Sequence, residues 1–140
     1  MTHSIKDIAE EISVLMPVIA RRILLQFFQS VHITQTQIFT ITILFEQAPC
    51  RLSELSKKMN ISAPTVTGII DRLERLSYVQ RIPDQNDRRA INVRLTKKGV
   101  KIAKKLRFTL KEKWQDLLSK LPPDDRENYL KILRKIQKNL

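Results

Sequence analysis

The sequence is poor in the residues that disulfides, flexible linkers and metal sites require. Its 140 residues include one cysteine, two glycines and two histidines. A single cysteine, Cys50, excludes an intramolecular disulfide, and two glycines leave little room for a flexible linker. His3 and His32 lie far apart, and the chain has no metal-ligand spacing, phosphate loop or nucleophile motif. The sequence therefore predicts no catalytic residue, no metal ion and no cofactor.

Long apolar runs are also missing. No stretch approaches the length of a membrane span, and the first seven residues lack the layout of a signal peptide. We expect a cytoplasmic protein without a membrane partner, in which Cys50 is a partly buried small residue of a turn rather than a peroxide sensor. A chain of this length is enough for one domain, residues 1–140, with a proper core.

Acidic residues are few, and the basic excess is localised. Lys and Arg number 26 against 14 Asp and Glu, which gives a formal net charge of +12. Residues 51–105 alone hold 14 basic and 5 acidic side chains, a balance of +9. This concentration of charge predicts a polyanionic partner for that segment.

The same segment predicts a helix-turn-helix. Arg51–Asn60 has the pattern of a short helix with Ser53 as its N-cap, and Asn60 suits a left-handed helix end. A second helix over Ala63–Leu76 is entered at Ser62. At a period of 3.6 residues its apolar positions share one side, and they are Val66, Ile69, Ile70 and Leu73. The opposite side is small and polar, as a helix entering a DNA groove requires.

A β-hairpin follows. Tyr78–Ile82 and Ile91–Leu95 alternate apolar and polar residues, and residues 83–90 between them form a polar, turn-rich, cationic tip. A hairpin directly after a helix-turn-helix is a wing. Thr96 is the expected N-cap of the next helix.

The chain ends carry amphipathic helices. Residues 5–29 predict a long helix with a bend or break between Ser13 and Pro17, and Ile33–Gln47 predicts a helix capped by Thr34. A further helix runs past Gly99 until two prolines at 122 and 123, after which a last helix begins. Their apolar stripes exceed what a small winged domain covers, so we expect a dimer, with packing inside one chain as the alternative.

The motifs between Leu55 and Gly99 resemble those of the MarR family of winged-helix regulators. The similarity rests on four runs: Ser-Ala-Pro-Thr-Val-Thr at 62–67, Ile-Asp-Arg-Leu-Glu at 70–74, Asp-Arg-Arg at 87–89 and Leu-Thr-Lys-Lys-Gly at 95–99. The resemblance implies a mainly α fold, a winged helix-turn-helix with a two-stranded wing (33–105) flanked by dimerisation helices (1–32 and 106–140). It also implies a homodimeric repressor on an inverted repeat of double-stranded DNA, which a small aromatic or phenolic ligand releases in many relatives.

The expected DNA contacts lie on the second helix and the wing tip. They are Ser62, Ala63, Pro64, Thr65, Thr67, Gly68, Arg72, Arg75, Asp87, Arg88 and Arg89. We expect Asp71 to hold Arg72 or Arg75 rather than to read DNA. By the resemblance, Asp87 would hold Arg89 while Arg89 enters the minor groove and Arg88 serves the phosphate backbone.

Two features leave alternatives open. Ser77 stands where the family usually has glycine, so it must either adopt a left-handed conformation or end the helix differently. Four phenylalanines could line a ligand pocket but are more typical of core, namely Phe27, Phe28, Phe39 and Phe108. The alternative functions are an architectural or protein/RNA interaction module without operator specificity, and an enzyme whose catalytic cluster the sequence does not reveal.

Overall fold

The computed structural model describes residues 2–140 and is mainly helical. Within this range, the elements are α1 (Ile5–Ser30), α2 (Gln35–Gln47), β1 (Cys50–Arg51), α3 (Leu52–Met59), α4 (Ala63–Arg75), β2 (Val79–Pro83), β3 (Ile91–Leu95), α5 (Lys97–Ser119) and α6 (Pro123–Lys138). The chain divides into two compact units. One comprises the residues up to Leu24 together with Phe108–Leu140, and the other is Leu25–Arg107. No helix in the described range is long and apolar enough to cross a bilayer.

Helix α1 runs without interruption past Pro17. Of the predicted bend or break between Ser13 and Pro17, the break is therefore wrong, and the bend stays a prediction. A proline removes one backbone hydrogen bond, but Pro17 is exposed, so water can satisfy the carbonyl group of Ser13 that loses its partner.

Helix α2 begins at a complete capping box. The Thr34 hydroxyl accepts a hydrogen bond from the Gln37 amide (3.1 Å), and the Gln37 side chain accepts one from the Thr34 amide (3.0 Å). The predicted cap is thus confirmed, although the helix starts at Gln35 rather than Ile33. Its inner side is packed into the core of the Leu25–Arg107 unit, where Ile41 and Leu44 have no exposed surface.

The helix-turn-helix forms as the pattern predicts, with one correction. Asn60 takes the left-handed conformation (φ 53°, ψ 46°) that ends α3, and Leu55 is fully buried. Ser53 is not the N-cap of α3. The extended residue before the helix is Arg51, because β1 keeps the chain extended until the helix begins at Leu52.

The wing belongs to a three-stranded antiparallel sheet with the order β1-β3-β2. Strand β2 pairs with β3 from Val79 opposite Leu95 to Pro83 opposite Ile91. Strand β1, which the sequence did not reveal, pairs with the other edge of β3, placing Cys50 opposite Val93. The base of the wing is therefore held on both sides of its central strand.

Helix α5 starts against the junction of α4 and β2. The Thr96 hydroxyl accepts from the Gly99 amide (3.2 Å), which supports the predicted cap. A side chain at Gly99 would overlap the carbonyl oxygen of Tyr78. Glycine is therefore required here for close packing between the helix and the chain that leaves α4.

Candidate nucleic-acid interface

The N-terminal end of α4 presents small polar groups to solvent. The Ser62 hydroxyl caps the helix by accepting from the Thr65 amide (3.3 Å), and the Ser62 and Thr65 hydroxyls share a further hydrogen bond of 2.7 Å. Pro64 fits because the first turn needs no amide donor. Ala63, Pro64, Thr65 and Thr67 are all exposed. This end of the helix can therefore approach a surface closely.

The opposite side of α4 fixes the helix in the core. Ile70 and Leu73 have no exposed surface, and Val66 and Ile69 are exposed by 1% and 6%. Full burial of such a side chain is worth roughly 1.5–3 kcal/mol, so this face determines how the helix is rotated. A Cβ atom added at Gly68 would meet nothing within 4 Å other than its chain neighbours and the adjacent backbone of its own helix. Its lack of a side chain is thus not explained by packing within the chain.

The arginines of α4 are exposed, and the predicted partner of Asp71 is wrong. Arg72 and Arg75 both face solvent. The Arg75 Nε donates to the Asp71 carbonyl oxygen (3.4 Å), not to its carboxylate. The carboxylate of Asp71 instead accepts from Arg81. The cause is tertiary: β2 brings Arg81 alongside α4, whereas Arg72 and Arg75 point away into solvent.

Arg81 joins α4 to β2, a connection that the sequence analysis missed. Its guanidinium lies 2.6 Å from the Asp71 carboxylate and 2.8 Å from that of Glu74, and the Glu74 carboxylate also accepts from the Arg81 amide (3.2 Å). The Arg81 side chain is 23% exposed. Two signals were present: acidic residues three apart on α4, and an arginine two residues after the buried Val79 on the same strand. Arg81 therefore ties α4 to the first strand of the wing.

The wing tip is organised by Asp84, which the sequence analysis also missed. Its carboxylate accepts from the amides of Asn86 (2.8 Å) and Asp87 (3.2 Å), and from the side chain of Asn92 (3.2 Å). The Arg51 Nε donates to it as well, at 3.0 Å. The Asn86 amide and, after it, Arg51 outweigh the opposing effect of burial and lower the pKa of Asp84. Asp84 thus joins β1, the tip and β3.

The cations of the wing tip project into solvent. Arg88 and Arg89 are exposed, and Asp87 lies beside them. The Asp87 carboxylate accepts from the Arg89 backbone amide (2.9 Å), and its carbonyl oxygen accepts from the Ala90 amide (3.2 Å). The expected contact between Asp87 and Arg89 is therefore present, but in this structure it holds the backbone of Arg89 and not its guanidinium.

Cys50 lies in the sheet with only 1% of its surface exposed. Burial raises the pKa of its thiol, and the Glu54 carboxylate, 3.8 Å from the sulfur, acts in the same direction. A protonated, buried thiol is a poor nucleophile. Over residues 2–140 the structure contains no group of three or more His, Cys, Asp or Glu residues arranged to hold a metal ion.

A helix-turn-helix with an exposed polar entry, followed by a hairpin with a cationic tip, defines the winged helix-turn-helix class of DNA-binding proteins. The model of the MarR family matches residues 33–91, from two residues before α2 to the first residue of β3. This segment is similar to the MarR family, whose members are transcription regulators and not enzymes.

Individual relatives show the same similarity over more of the chain. The chain is 29% identical over 105 residues to YsmB, an uncharacterized transcriptional regulator of Bacillus subtilis, covering 75% of this chain and 72% of that protein. A MarR family protein from Bacillus stearothermophilus has the same fold, with a TM-score of 0.84, 23% identity and 98% of each chain covered. A variant of MepR from Staphylococcus aureus, bound to an oligodeoxyribonucleotide, gives a TM-score of 0.66, 26% identity and 99% coverage of both chains.

Proposed function

We propose that this protein is a homodimeric transcription repressor that recognises an inverted repeat in double-stranded DNA. The observation that carries the proposal is the two-sided α4, whose apolar side is buried while its N-terminal half is exposed, small and polar. The arrangement fits a recognition helix in a major groove, because the groove admits a helix only where its side chains are short or can bond base edges.

Each protomer would contact the major groove through the exposed side of α4 and its N-cap. Thr65 and Thr67 suit phosphate oxygens, base edges or a thymine methyl group. Arg72 is long enough to bond guanine in a bidentate way or to grip a phosphate. The proposed set on this helix is Ser62, Ala63, Pro64, Thr65, Thr67, Gly68, Arg72 and Arg75.

The wing would contact the adjacent minor groove. Narrow A·T-rich minor grooves concentrate negative potential, which favours insertion of an arginine such as Arg89. Arg88 would bind the phosphate backbone. Asp87 is useful beside phosphates only as an orienting group, and its hydrogen bond to the Arg89 amide supports that role.

Dimerisation is supported by apolar side chains that the single chain leaves exposed in the terminal unit. On α1, Ile5, Ile12 and Leu15 are exposed by 88%, 50% and 53%. On α6, every residue of which is described, none is buried, and Leu133 and Ile136 are exposed by 39% and 51%. Apolar stripes of this length are typical of helices that pack against a partner. Residues 1–32 and 106–140 therefore remain our proposed dimerisation segments.

A dimer also supplies the specificity that a regulator needs. One helix reads a few base pairs, whereas two related by a two-fold axis read half-sites about one helical turn apart. Bound over a promoter, such a dimer blocks transcription. We propose that it acts in the cytoplasm, where it meets the DNA that it regulates.

Release by a small aromatic or phenolic ligand stays a prediction. Phe27 is 1% exposed and packs edge-on against Phe28, with ring centroids 5.3 Å apart. Phe39 and Phe108 are exposed by 52% and 63%. Operator affinity measured with and without a panel of phenols and aromatic carboxylates tests this control, and an unchanged affinity throughout the panel argues against it.

The main experiment is a selection of bound duplexes from a random pool at about 0.15 M salt. We expect a two-fold symmetric motif, and we expect Arg89→Ala to lose mainly its A·T-rich flanks. Arg94→Ala is the matched control, because this substitution removes the same charge from the same hairpin. The Arg94 guanidinium contacts Gln80 on the strands and not the wing tip. Uniform binding of all duplexes with a steep salt dependence would refute the regulator proposal and favour an architectural module.

Oligomeric state is tested separately by sedimentation. The wild type should sediment at about twice 16.4 kDa. Ile12→Asp should shift it toward the monomer, because it places a charge in an apolar interface. The control is Glu11→Gln on the neighbouring position, which should remain dimeric. A wild type that sediments as a monomer at micromolar concentration contradicts the dimer proposal.

A further inference from the structure

The first half of α5 carries positive charge without compensation. Residues 97–111 contain seven Lys and Arg residues and no Asp or Glu. Like charges spaced three or four residues apart repel each other and destabilise a helix. Helix stability therefore does not explain this concentration of positive charge.

Two of these cations already have contacts within the Leu25–Arg107 unit. The Lys98 Nζ donates to the Leu76 carbonyl oxygen (2.7 Å) and lies 4.5 Å from the centre of the Tyr78 ring. The Arg107 guanidinium stacks on Phe45 at 4.9 Å. Both side chains therefore have roles in holding α5 in place.

Four other lysines form a ridge on the outward side of α5, opposite the buried Gly99, Ile102, Ala103 and Leu106. This lysine ridge consists of Lys97, Lys101, Lys104 and Lys105, all of which are exposed. Within residues 2–140, the ion pairs of the structure include none of the four. The ridge is thus a row of hydrated charges available to an anionic partner.

The ridge is separate from the proposed reading site. Helix α5 begins beside the C-terminal end of α4, where Lys98 reaches the Leu76 carbonyl group. Ser62 lies at the other end of that 13-residue helix, about 20 Å away. The wing tip is likewise at the far end of its strands from Val79 and Leu95, the pair nearest to α5. A duplex held by Ser62–Gly68 and the wing tip leaves the ridge unused.

We propose that the lysine ridge is a second, sequence-independent surface for the phosphate backbone of double-stranded DNA. Its four charges span about 12 Å of helix, a length that covers roughly three to four phosphates of one strand. Lysines are compact, flexible point charges that bind phosphates without reading bases. The ridge would take either the flanks of the operator duplex or a separate duplex. This proposal rests on the proposed function only in its choice of DNA as the anionic partner.

The test uses the full chain with Lys101, Lys104 and Lys105 replaced by Gln. Glutamine matches lysine in helix propensity, so the variant should keep its helicity and melting temperature. The control carries Lys131→Gln, Lys135→Gln and Lys138→Gln, which remove the same charge from the exposed side of α6 opposite Leu133 and Ile136, away from the proposed dimer contact. Both variants are compared with the wild type in binding a labelled random-sequence 22-bp duplex over a range of salt concentrations.

We expect the ridge variant to lose up to about 2.7 from the slope of log K against log[salt], because each lost phosphate contact accounts for about 0.9. The control should keep the wild-type slope. The two sources of phosphate are distinguished with a stoichiometric complex of the protein and a short selected duplex. If the ridge variant no longer binds a second duplex added to this complex, the ridge binds a separate duplex. If the ridge variant instead loses the extra affinity that 20-bp flanks give the wild type, the ridge binds the flanks of the operator.

Three results would overturn the proposal. Equal loss in the ridge and control variants would show an effect of net charge alone. An unchanged slope in the ridge variant would show that the ridge does not meet DNA. A loss of binding to phosphatidylserine vesicles with unchanged DNA binding would assign the ridge to a membrane surface. Because the probe is a random duplex, none of these outcomes depends on finding an operator.

Discussion

Gly68 offers a substitution that should raise stability while lowering DNA affinity. The residue lies inside α4 with no positive φ, so alanine can take the same backbone conformation. Its added methyl group meets nothing within 4 Å other than its chain neighbours and the adjacent backbone of its own helix. Replacing glycine by alanine in a helix interior gains about 1 kcal/mol. For a chain of this size, Gly68→Ala should raise the melting temperature by about 3–4 °C.

The same methyl group should weaken DNA binding. If Gly68 lies against the groove, the added group pushes the helix outward and breaks at least one hydrogen bond to a phosphate or base. A hydrogen bond to a charged group is worth roughly 1.5–3 kcal/mol, which corresponds to a loss of affinity of about tenfold to a hundredfold. Fluorescence anisotropy with the selected duplex measures the affinity, and calorimetry measures the melting temperature.

Gly99 provides the matched control, since Gly68 and Gly99 are the only two glycines in the sequence. At Gly99 a Cβ atom would overlap the Tyr78 carbonyl oxygen and lie 3.2 Å from the Leu95 side chain. Gly99→Ala should therefore lower stability by roughly 1–3 kcal/mol. A Gly68→Ala protein that is more stable and binds the selected duplex as well as the wild type would refute the placement of this face against DNA. One that is less stable would refute the helix argument itself.

Three further substitutions test contacts that hold the wing and α4. Arg81→Met should lower the free energy of unfolding, measured in urea, by about 0.5–1 kcal/mol. The loss is modest because Asp71 and Glu74 are half exposed. An unchanged free energy would mean that the ion pairs contribute nothing. Asp84→Asn should make the stability less dependent on acid pH. The lowered pKa of Asp84 gives stability that is complete above about pH 4 and is lost as pH falls through the folded-state pKa. Urea midpoints of wild type and variant that fall in parallel between pH 6 and pH 3 would contradict this prediction. Ser77→Gly should raise the melting temperature, because Ser77 has φ 66° and a left-handed residue with a side chain costs about 1–2 kcal/mol. A drop in melting temperature would show that the serine hydroxyl has an unrecognised partner.

Helices and their caps could be predicted because their signals are local. The buried positions of α4 follow directly from a 3.6-residue period, and the Thr34 cap and the left-handed Asn60 follow from residue type. The positive φ of Ser77 was one of two outcomes that the sequence allowed, and the structure selects it. In each case the relevant interaction lies within a few residues along the chain.

Interactions between distant segments could not be predicted in the same way. Strand β1 has two residues, too few to show alternation, and it exists only because β3 is there to pair with it. Asp71 had an arginine four residues away on its own helix, yet its carboxylate bonds to Arg81, ten residues away on β2. The hydrogen bond from Arg51 to Asp84 spans 33 residues. Such partners are set by packing, which periodicity does not encode.

The pairing of β1 with β3 determines the smallest segment that could be exchanged between regulators. A chimera that replaces only residues 79–95 would receive a hairpin whose central strand lacks its matched neighbour at Cys50 and whose tip lacks Arg51. Transplanting residues 50–95 keeps both strand registers, the Asp84 hydrogen bonds and the Arg81 ion pairs within the donor sequence. Grafts intended to change operator preference should therefore begin before α3 and not at the wing.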